Sequence, residues 1–356
     1  MIKQYDYSGT PREIGLQHGT SLKKEIHELY NRLLQRYTNH SKTSNERSIL
    51  GATGCYIDST QKYAPELIEE IEGIAEGAKM AFEKVFFMNC YDEMAYYNET
   101  KEQVNGCTLF FSTGRATADR RTYLGQGWDM DEFFTPVIIR LNPASDDGGA
   151  KVIMLTHPGV VGGAGINEYG LSLIWSTVKA IDENTGLPVP LMIRKVLAGN
   201  NLNDAVHVLL NIPRASGFNF IVGNEYGGFN IEATGCREYI HYITALYAHA
   251  NHYENDLLRQ YAIRPPVRSS NTYIRSGRMR QLLENDFGSI DLETSKKVLS
   301  DHANKPFSIC RHLKPGQSDS MTQSALIFIP EEKIMYASDG PACEAGFDLY
   351  TLDDDI

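Results

Sequence analysis

A Gly-Cys peptide bond, Gly106-Cys107, stands within Asn105-Gly106-Cys107-Thr108-Leu109-Phe110-Phe111, where a helical texture gives way to a strand-like one. A cysteine that opens a strand projects from the sheet edge with its sulfur within reach. Glycine before it tolerates a strained backbone and lets a nucleophile approach the carbonyl. Cutting that bond would leave one residue carrying both a thiol and a free α-amine. An ordinary α-amine pKa of about 7.7–8.0 suits a built-in general base, so no separate histidine is required. Taken without context a single cysteine reads as a small buried hydrophobe, so its surroundings must decide.

Other residue types offer weaker chemistry. His249 and His252, with Cys107 or Asp256, suggest a metal, but the HxxH lacks the flanking cysteines or glutamate that make zinc motifs specific. The glycine-rich run from Gly159 to Gly165 resembles a phosphate loop, yet no Lys-Ser/Thr follows and a strand comes next. It reads as a tight connection beside the active site. His18 falls within a helical pattern and reads as a packed polar residue. Phe110, Phe111, Trp128, Phe133, Phe134 and Trp175 could line an acyl pocket, although core packing explains most of them equally well. The cysteines Cys55, Cys90, Cys107, Cys236, Cys310 and Cys343 include no pair at CxxC spacing, so neither a disulfide scaffold nor a zinc knuckle is expected.

The elements that must position these groups fall into two textures. Arg12 to Tyr37 and Tyr63 to Phe82 carry apolar residues at a period near 3.6, with Pro65 at a first helical turn, and a short helix is expected at Phe86 to Tyr97. From Gly106 onward short β-type runs alternate with turns: Cys107 to Ser112, Thr122 to Trp128, Val137 to Leu141, Lys151 to Leu155, Gly165 to Ser176, Phe218 to Gly223 and Gly228 to Ala233. Asn167-Glu168-Tyr169-Gly170 and Asn224-Glu225-Tyr226-Gly227 are matching hairpin turns, and a third hairpin is expected around Glu331-Glu332-Lys333. Helices are expected at Pro190 to Leu210, Thr272 to Asp286 and Thr294 to Asp301. Hairpin-joined strands with intervening helices favour antiparallel sheets covered by helices, an α+β fold.

Several pieces, in order, resemble the penicillin acyltransferase-like family, the isopenicillin N acyltransferase branch of the N-terminal nucleophile hydrolases, over most of the chain. They are Glu13 to Gly19, Gly106-Cys107-Thr108, Gly125-Gln126-Gly127-Trp128-Asp129, Gly165 to Leu171, His249-Ala250-Asn251-His252 and Pro306 to Arg311. The resemblance implies a four-layer αββα sandwich and self-cleavage into segments 1–106 and 107–356. It also implies Cys107 as nucleophile, Asp129 holding the new α-amine, Asn251 as a donor to the oxyanion, and Arg311 buried near the nucleophile. Where the family often has Gln-Asn-Trp-Asp, this chain has Gly127 before Trp128, which keeps Asp129 but changes its surrounding donors. Physical chemistry supports these roles: one fixed oxyanion donor lowers a barrier by roughly 3–4 kcal/mol, and a carboxylate steadies an ammonium. Each residue also has a plainer reading. Asp129 opens an acidic run through Glu132, Asn251 could cap a helix ahead of Glu254, and Arg311 could pair at the surface, although the apolar run before it favours partial burial.

The 34 Lys+Arg against 45 Asp+Glu leave a net charge of −11, which argues against nucleic-acid or anionic-membrane binding. With 42% hydrophobic residues, the 356-residue chain can bury a large core without disulfides or metals. The start has no apolar leader and no stretch approaches the roughly 20 apolar residues of a membrane span, so a soluble cytoplasmic protein is expected. The function expected is a cysteine hydrolase, activated by its own cleavage, that cuts a linear amide through an acyl-enzyme thioester. The alternative is acyl transfer from acyl-coenzyme A to an amine such as a 6-aminopenicillanic-acid-like acceptor. Two further readings are a non-catalytic small-molecule binding protein on the same fold and a metal-dependent hydrolase using His249 and His252. No cofactor or metal is expected, acyl-coenzyme A entering only as substrate; the partner is a small molecule, and a homo-oligomer is left open.

Overall fold

The computed structural model describes residues 1–39, 45–94, 106–144, 149–263, 270–313 and 320–353. The end of the helix expected to Tyr97 and Asn105, ahead of the Gly-Cys bond, lie outside the described residues.

Fourteen strands in the described residues form two sheets. One comprises β1 (Gln4–Gly9), β4 (Val137–Pro143), β5 (Val152–Thr156), β6 (Ala164–Asn167), β7 (Ser172–Thr177), β8 (Phe218–Asn224), β9 (Gly227–Ala233) and β10 (Glu238–Ile243), in that order. The other runs β11 (Leu246–His249), β2 (Gly106–Ser112), β3 (Tyr123–Asp131), β12 (Ser320–Ile329), β13 (Ile334–Ser338) and β14 (Phe347–Thr351). Strand β7 packs across β2 and β3, so the sheets face each other. Helices Ser270–Asn285 and Leu292–Leu299 cover the six-stranded sheet, and Val189–Leu197 and Leu202–Asn211 cover the other. This is the helix-sheet-sheet-helix order of the αββα sandwich.

Pairing is antiparallel except between β1 and β4, which run parallel. The two matching turns form as expected, with Gly170 (φ +73°) and Gly227 (φ +141°) in the region that favours glycine. The expected helix over Pro190 to Leu210 is two helices, because Asn201 accepts from the Asp204 N–H and caps a fresh start at Leu202. Likewise Arg12 to Tyr37 divides into Pro11–Ser21 and Lys23–Asn39. The short helix is Phe82–Met88, earlier than expected.

Period-two alternation sorts β2 between two cores. Cys107, Leu109 and Phe111 join the large cluster between the sheets, and Phe110 faces the opposite way, under Met279 and Leu283. The large cluster draws on both sides of residue 106, mixing Leu33, Ile71 and Phe87 with Ile138, Leu155 and Ile174.

Helices Pro11–Ser21 and Pro65–Ala78 cross with their backbones in contact. A Cβ on Gly15 would lie 2.0 Å from the Glu70 carbonyl oxygen, and one on Gly19 2.2 Å from that of Ile74. Gly73 and Gly77 face the first helix in the same way. Among the described residues, no helix is long and apolar enough to cross a membrane.

Candidate active site

Strands β2 and β3 set Gly106 opposite Asp129 and Cys107 opposite Trp128. The Cys107 side chain, 5% exposed, faces the space between the sheets. Its sulfur accepts from Gln126 Nε2 at 3.6 Å. Burial, reinforced by the Asp129 carboxylate, pushes the thiol up to about 12. At neutral pH the sulfur therefore keeps its proton until a base removes it.

The group that ties this corner together is Arg275, from helix Ser270–Asn285 and buried. Its Nη1 donates to the Cys107 carbonyl oxygen (2.6 Å) and to Thr108 Oγ1 (2.7 Å), and Nη2 donates to Asn251 Oδ1 (2.7 Å). Asn271 Oδ1 accepts from Nε at 2.9 Å. Burial lowers the guanidinium to about 10, still charged at neutral pH. A Cβ on Gly106 would come within 2.8 Å of Arg275 Nη2 and 3.0 Å of Asn251 Oδ1, so glycine at 106 is what lets the backbone approach these groups.

Asn251 follows β11, its N–H donating to Thr272 Oγ1 (2.6 Å) and its Nδ2 to the Thr177 carbonyl (3.0 Å). An amide nitrogen carries two hydrogens, and the second is left for an acceptor. Asn251 is not a helix cap; Asn255 fills that role for Asp256–Arg259. Asp129, 1% exposed, is a strand residue and no part of a solvated turn. Its Oδ1 accepts from Thr322 Oγ1 at 2.7 Å, and Oδ2 lies 3.6 Å from Arg311 Nη1. Burial raises this carboxyl to about 6, against the pull of Arg311 and Arg275. Arg311 is 2% exposed, more deeply placed than partial burial implied, and it pairs inside rather than at the surface. Its N–H donates to the same Thr322 hydroxyl at 2.9 Å.

All four expected residues thus meet: Arg275 joins Cys107 to Asn251, and Thr322 joins Asp129 to Arg311. His249 and His252 do not converge on a metal position. Their rings stack at 5.6 Å, with His249 Nε2 3.0 Å from Glu232 Oε1 and His252 Nδ1 2.9 Å from Thr272 Oγ1. His18 is the packed polar residue expected: its Nε2 accepts from the Gly159 N–H at 2.8 Å. The glycine-rich run is a tight connection, where a Cβ on Gly162 would sit 1.9 Å from the Pro190 carbonyl oxygen.

Beside Cys107 an aromatic group forms from Trp128, Trp175, His157, Phe134 and Tyr91, with Trp128 and Trp175 edge to face at 6.3 Å and Trp128 5.0 Å from His157. Trp128 Nε1, Trp175 Nε1 and His157 Nε2 are buried without a protein partner. Burial drops His157 to about 4, so the ring is neutral. Phe110 is no part of this lining, since it faces the helix side.

Sequence reasoning missed Arg275, Gln126 and Thr322. A signal for Arg275 existed: it shares the buried face of its helix with Met279 and Leu283, at intervals of four, and a charge on an apolar stripe asks for a partner.

A family model described as acyl-coenzyme A:6-aminopenicillanic acid acyl-transferase matches residues 120–341. That segment, more than half of the chain, contains Asp129, Asn251, Arg275 and Arg311, and Cys107 precedes it. The chain is 28% identical over 333 residues to the acyl-coenzyme A:6-aminopenicillanic-acid-acyltransferase 40 kDa form of Emericella nidulans, covering 90% of this chain and 87% of that protein. It is 22% identical over 247 residues to protein dcd1A of Dictyostelium discoideum, covering 60% of this chain and 54% of that protein. Among solved structures, penicillin V acylase from Agrobacterium tumefaciens matches with a TM-score of 0.39 and 14% identity, over 65% of this chain and 83% of that one.

Proposed function

Because the chain belongs to the acyl-coenzyme A:6-aminopenicillanic acid acyl-transferase family of acyl-transferring enzymes, we propose that it is a cysteine amide hydrolase that activates itself by cutting Gly106-Cys107. The observation that carries this reading is the convergence around Cys107: its carbonyl is held by Arg275, Arg275 holds Asn251, and Asp129 lies opposite Gly106.

In self-cleavage the Cys107 thiol loses its proton and attacks the Gly106 carbonyl carbon. The C–N bond breaks, the nitrogen takes a proton to become the α-amine, and a thioester remains. Water hydrolyses it, hydroxyl going to the Gly106 carboxyl group and hydrogen to the sulfur. In turnover the α-amine takes the thiol proton and the thiolate attacks a linear amide. The free Asn251 amide hydrogen steadies the oxyanion, and Asp129, which Arg311 helps keep ionised, holds the resulting α-ammonium, which then protonates the leaving amine. Water cleaves the acyl-enzyme. No cofactor enters this sequence, and the aromatic group beside Cys107 suits an apolar acyl chain with a polar atom near its carbonyl.

A second reading, transfer of the acyl group from acyl-coenzyme A to an amine, is favoured by the 28% identical relative named for that activity. Intact-mass measurement of the full chain under denaturing conditions tests the first step: two polypeptides, the larger beginning at Cys107, are expected. An active protein that remains a single full-length polypeptide overturns it. Incubating the protein with an amide, with and without an added amine, separates the readings. Free acid in both mixtures supports hydrolysis, whereas acylated amine formed only from acyl-coenzyme A supports transfer.

A further inference from the structure

A second cluster of reactive side chains lies away from Cys107. His302 follows helix Leu292–Leu299, Cys310 and His312 lie on the segment leading to β12, and Cys343 lies in the connection between β13 and β14. Their ligand atoms all fall within 4.8 Å of one another. Cys310 Sγ and Cys343 Sγ are 3.7 Å apart, and His302 Nε2 and His312 Nε2 are 3.0 Å apart. His312 Nε2 lies 3.8 Å from Cys310 Sγ and 3.3 Å from Cys343 Sγ.

Of the six separations, the two from His302 to the sulfurs fall within the 4.8 Å span, and the other four are close to the edges of a coordination tetrahedron. With Zn–S bonds of about 2.3 Å and Zn–N bonds of about 2.0–2.1 Å, its edges are about 3.8 Å for S···S, about 3.6 Å for S···N and about 3.3 Å for N···N. A disulfide requires about 2.05 Å. The outer nitrogen of His312 is also placed for the role: Nδ1 lies 3.3 Å from Glu344 Oε1, the carboxylate-histidine pairing that orients a ligating imidazole. A cavity of about 240 Å³ lined by His302, His312 and Cys343 gives an ion a way in.

We propose that His302, Cys310, His312 and Cys343 bind one zinc ion in a closed, four-ligand structural site. Binding displaces the two thiol protons to solvent and leaves no position for substrate. The ion fastens the turn at Cys343 to the chain on either side of Arg311, since Cys310 and His312 flank that residue, and so fixes the arginine that pairs with Asp129. The sequence reading expected no metal because the ligands are spaced by seven, one and thirty intervening residues, a pattern unlike CxxC motifs; only the fold brings them together.

The test uses the full chain, purified reduced and without chelator. Elemental analysis is expected to find about one zinc per chain. Replacing zinc by cobalt is expected to give thiolate-to-cobalt charge-transfer absorption and the intense visible bands of tetrahedral cobalt. Cys343→Ser, at an exposed position, and His302→Gln are expected to lose both signals while keeping the wild-type circular dichroism. Reduced wild-type protein that takes up neither metal when offered excess overturns the proposal, as does undiminished cobalt absorption in the two variants. The cobalt spectrum of the wild type needs no variant to fold, and neither readout depends on the acyl chemistry at Cys107.

Discussion

At Cys107 a thiol held near pKa 12 sits beside a carboxyl held near 6. The thiol cannot ionise unaided at neutral pH, so removing it is expected to abolish both reactions: Cys107→Ala should give one full-length polypeptide and no turnover, checked by intact mass and product formation. The α-amine must be neutral to take the thiol proton, so kcat/KM is expected to fall on the acid side with a midpoint near the ordinary α-amine value of about 7.7–8.0, and Asp129→Asn, which no longer holds the α-ammonium, to be slow with that midpoint moved to lower pH. The sign for stability is opposite. Burial raises this carboxyl above its ordinary value, so the ionised form costs stability above pH 6, and that cost fades as pH falls from about 6 toward 4. Acid therefore removes activity while protonation of this group relieves the fold. Arg275→Gln leaves the Cys107 carbonyl and Asn251 without their charged donor; a loss of about 1.5–3 kcal/mol, roughly ten- to a hundredfold in kcat, is expected from steady-state kinetics. Cys107 and Asp129 were legible in sequence because each lies in a short local motif. Arg275 left only the signal of a charge on an apolar helix face, because the site partners that give it a role, Asn251 and Cys107, lie 24 and 168 positions away.

Among the elements, the crossing of Pro11–Ser21 with Pro65–Ala78 depends on the absence of side chains at four positions. Gly19→Ala would drive a methyl group to 2.2 Å from the Ile74 carbonyl oxygen, so the helices must separate. Overpacking of this kind costs about 1–3 kcal/mol, and a lower melting temperature in calorimetry is the expected outcome; an unchanged one would show that the crossing yields freely. Hairpins were the most readable elements, since Gly170 and Gly227, both with positive φ, mark two of the turns, while the third turns at Lys333. Edge strands were the least. β10 exposes most of its residues and so leaves no alternating pattern of a half-buried strand, and β1, although Gln4-Tyr5-Asp6-Tyr7-Ser8 alternates, pairs only with a strand more than a hundred residues away. Splits in the long helices were missed because the apolar period continues across Leu22 and Asn201 while the caps interrupt the backbone.

Over the whole molecule, antiparallel sheets covered by helices were readable from the succession of textures and the four-layer order only from the family resemblance, while the meeting of His302 and Cys343 with Cys310-Arg311-His312 was a product of tertiary closure. The earliest strand, β1, is bonded into the larger sheet beside β4, and the Ile2 carbonyl accepts from the Tyr350 hydroxyl at 3.0 Å. A chain cut between Gly106 and Cys107 would therefore be two strangers sharing one interior, able to form as a single molecule only once. After denaturation its recovery should depend on protein concentration, whereas an uncut Cys107→Ala chain should regain its shape at a rate indifferent to dilution.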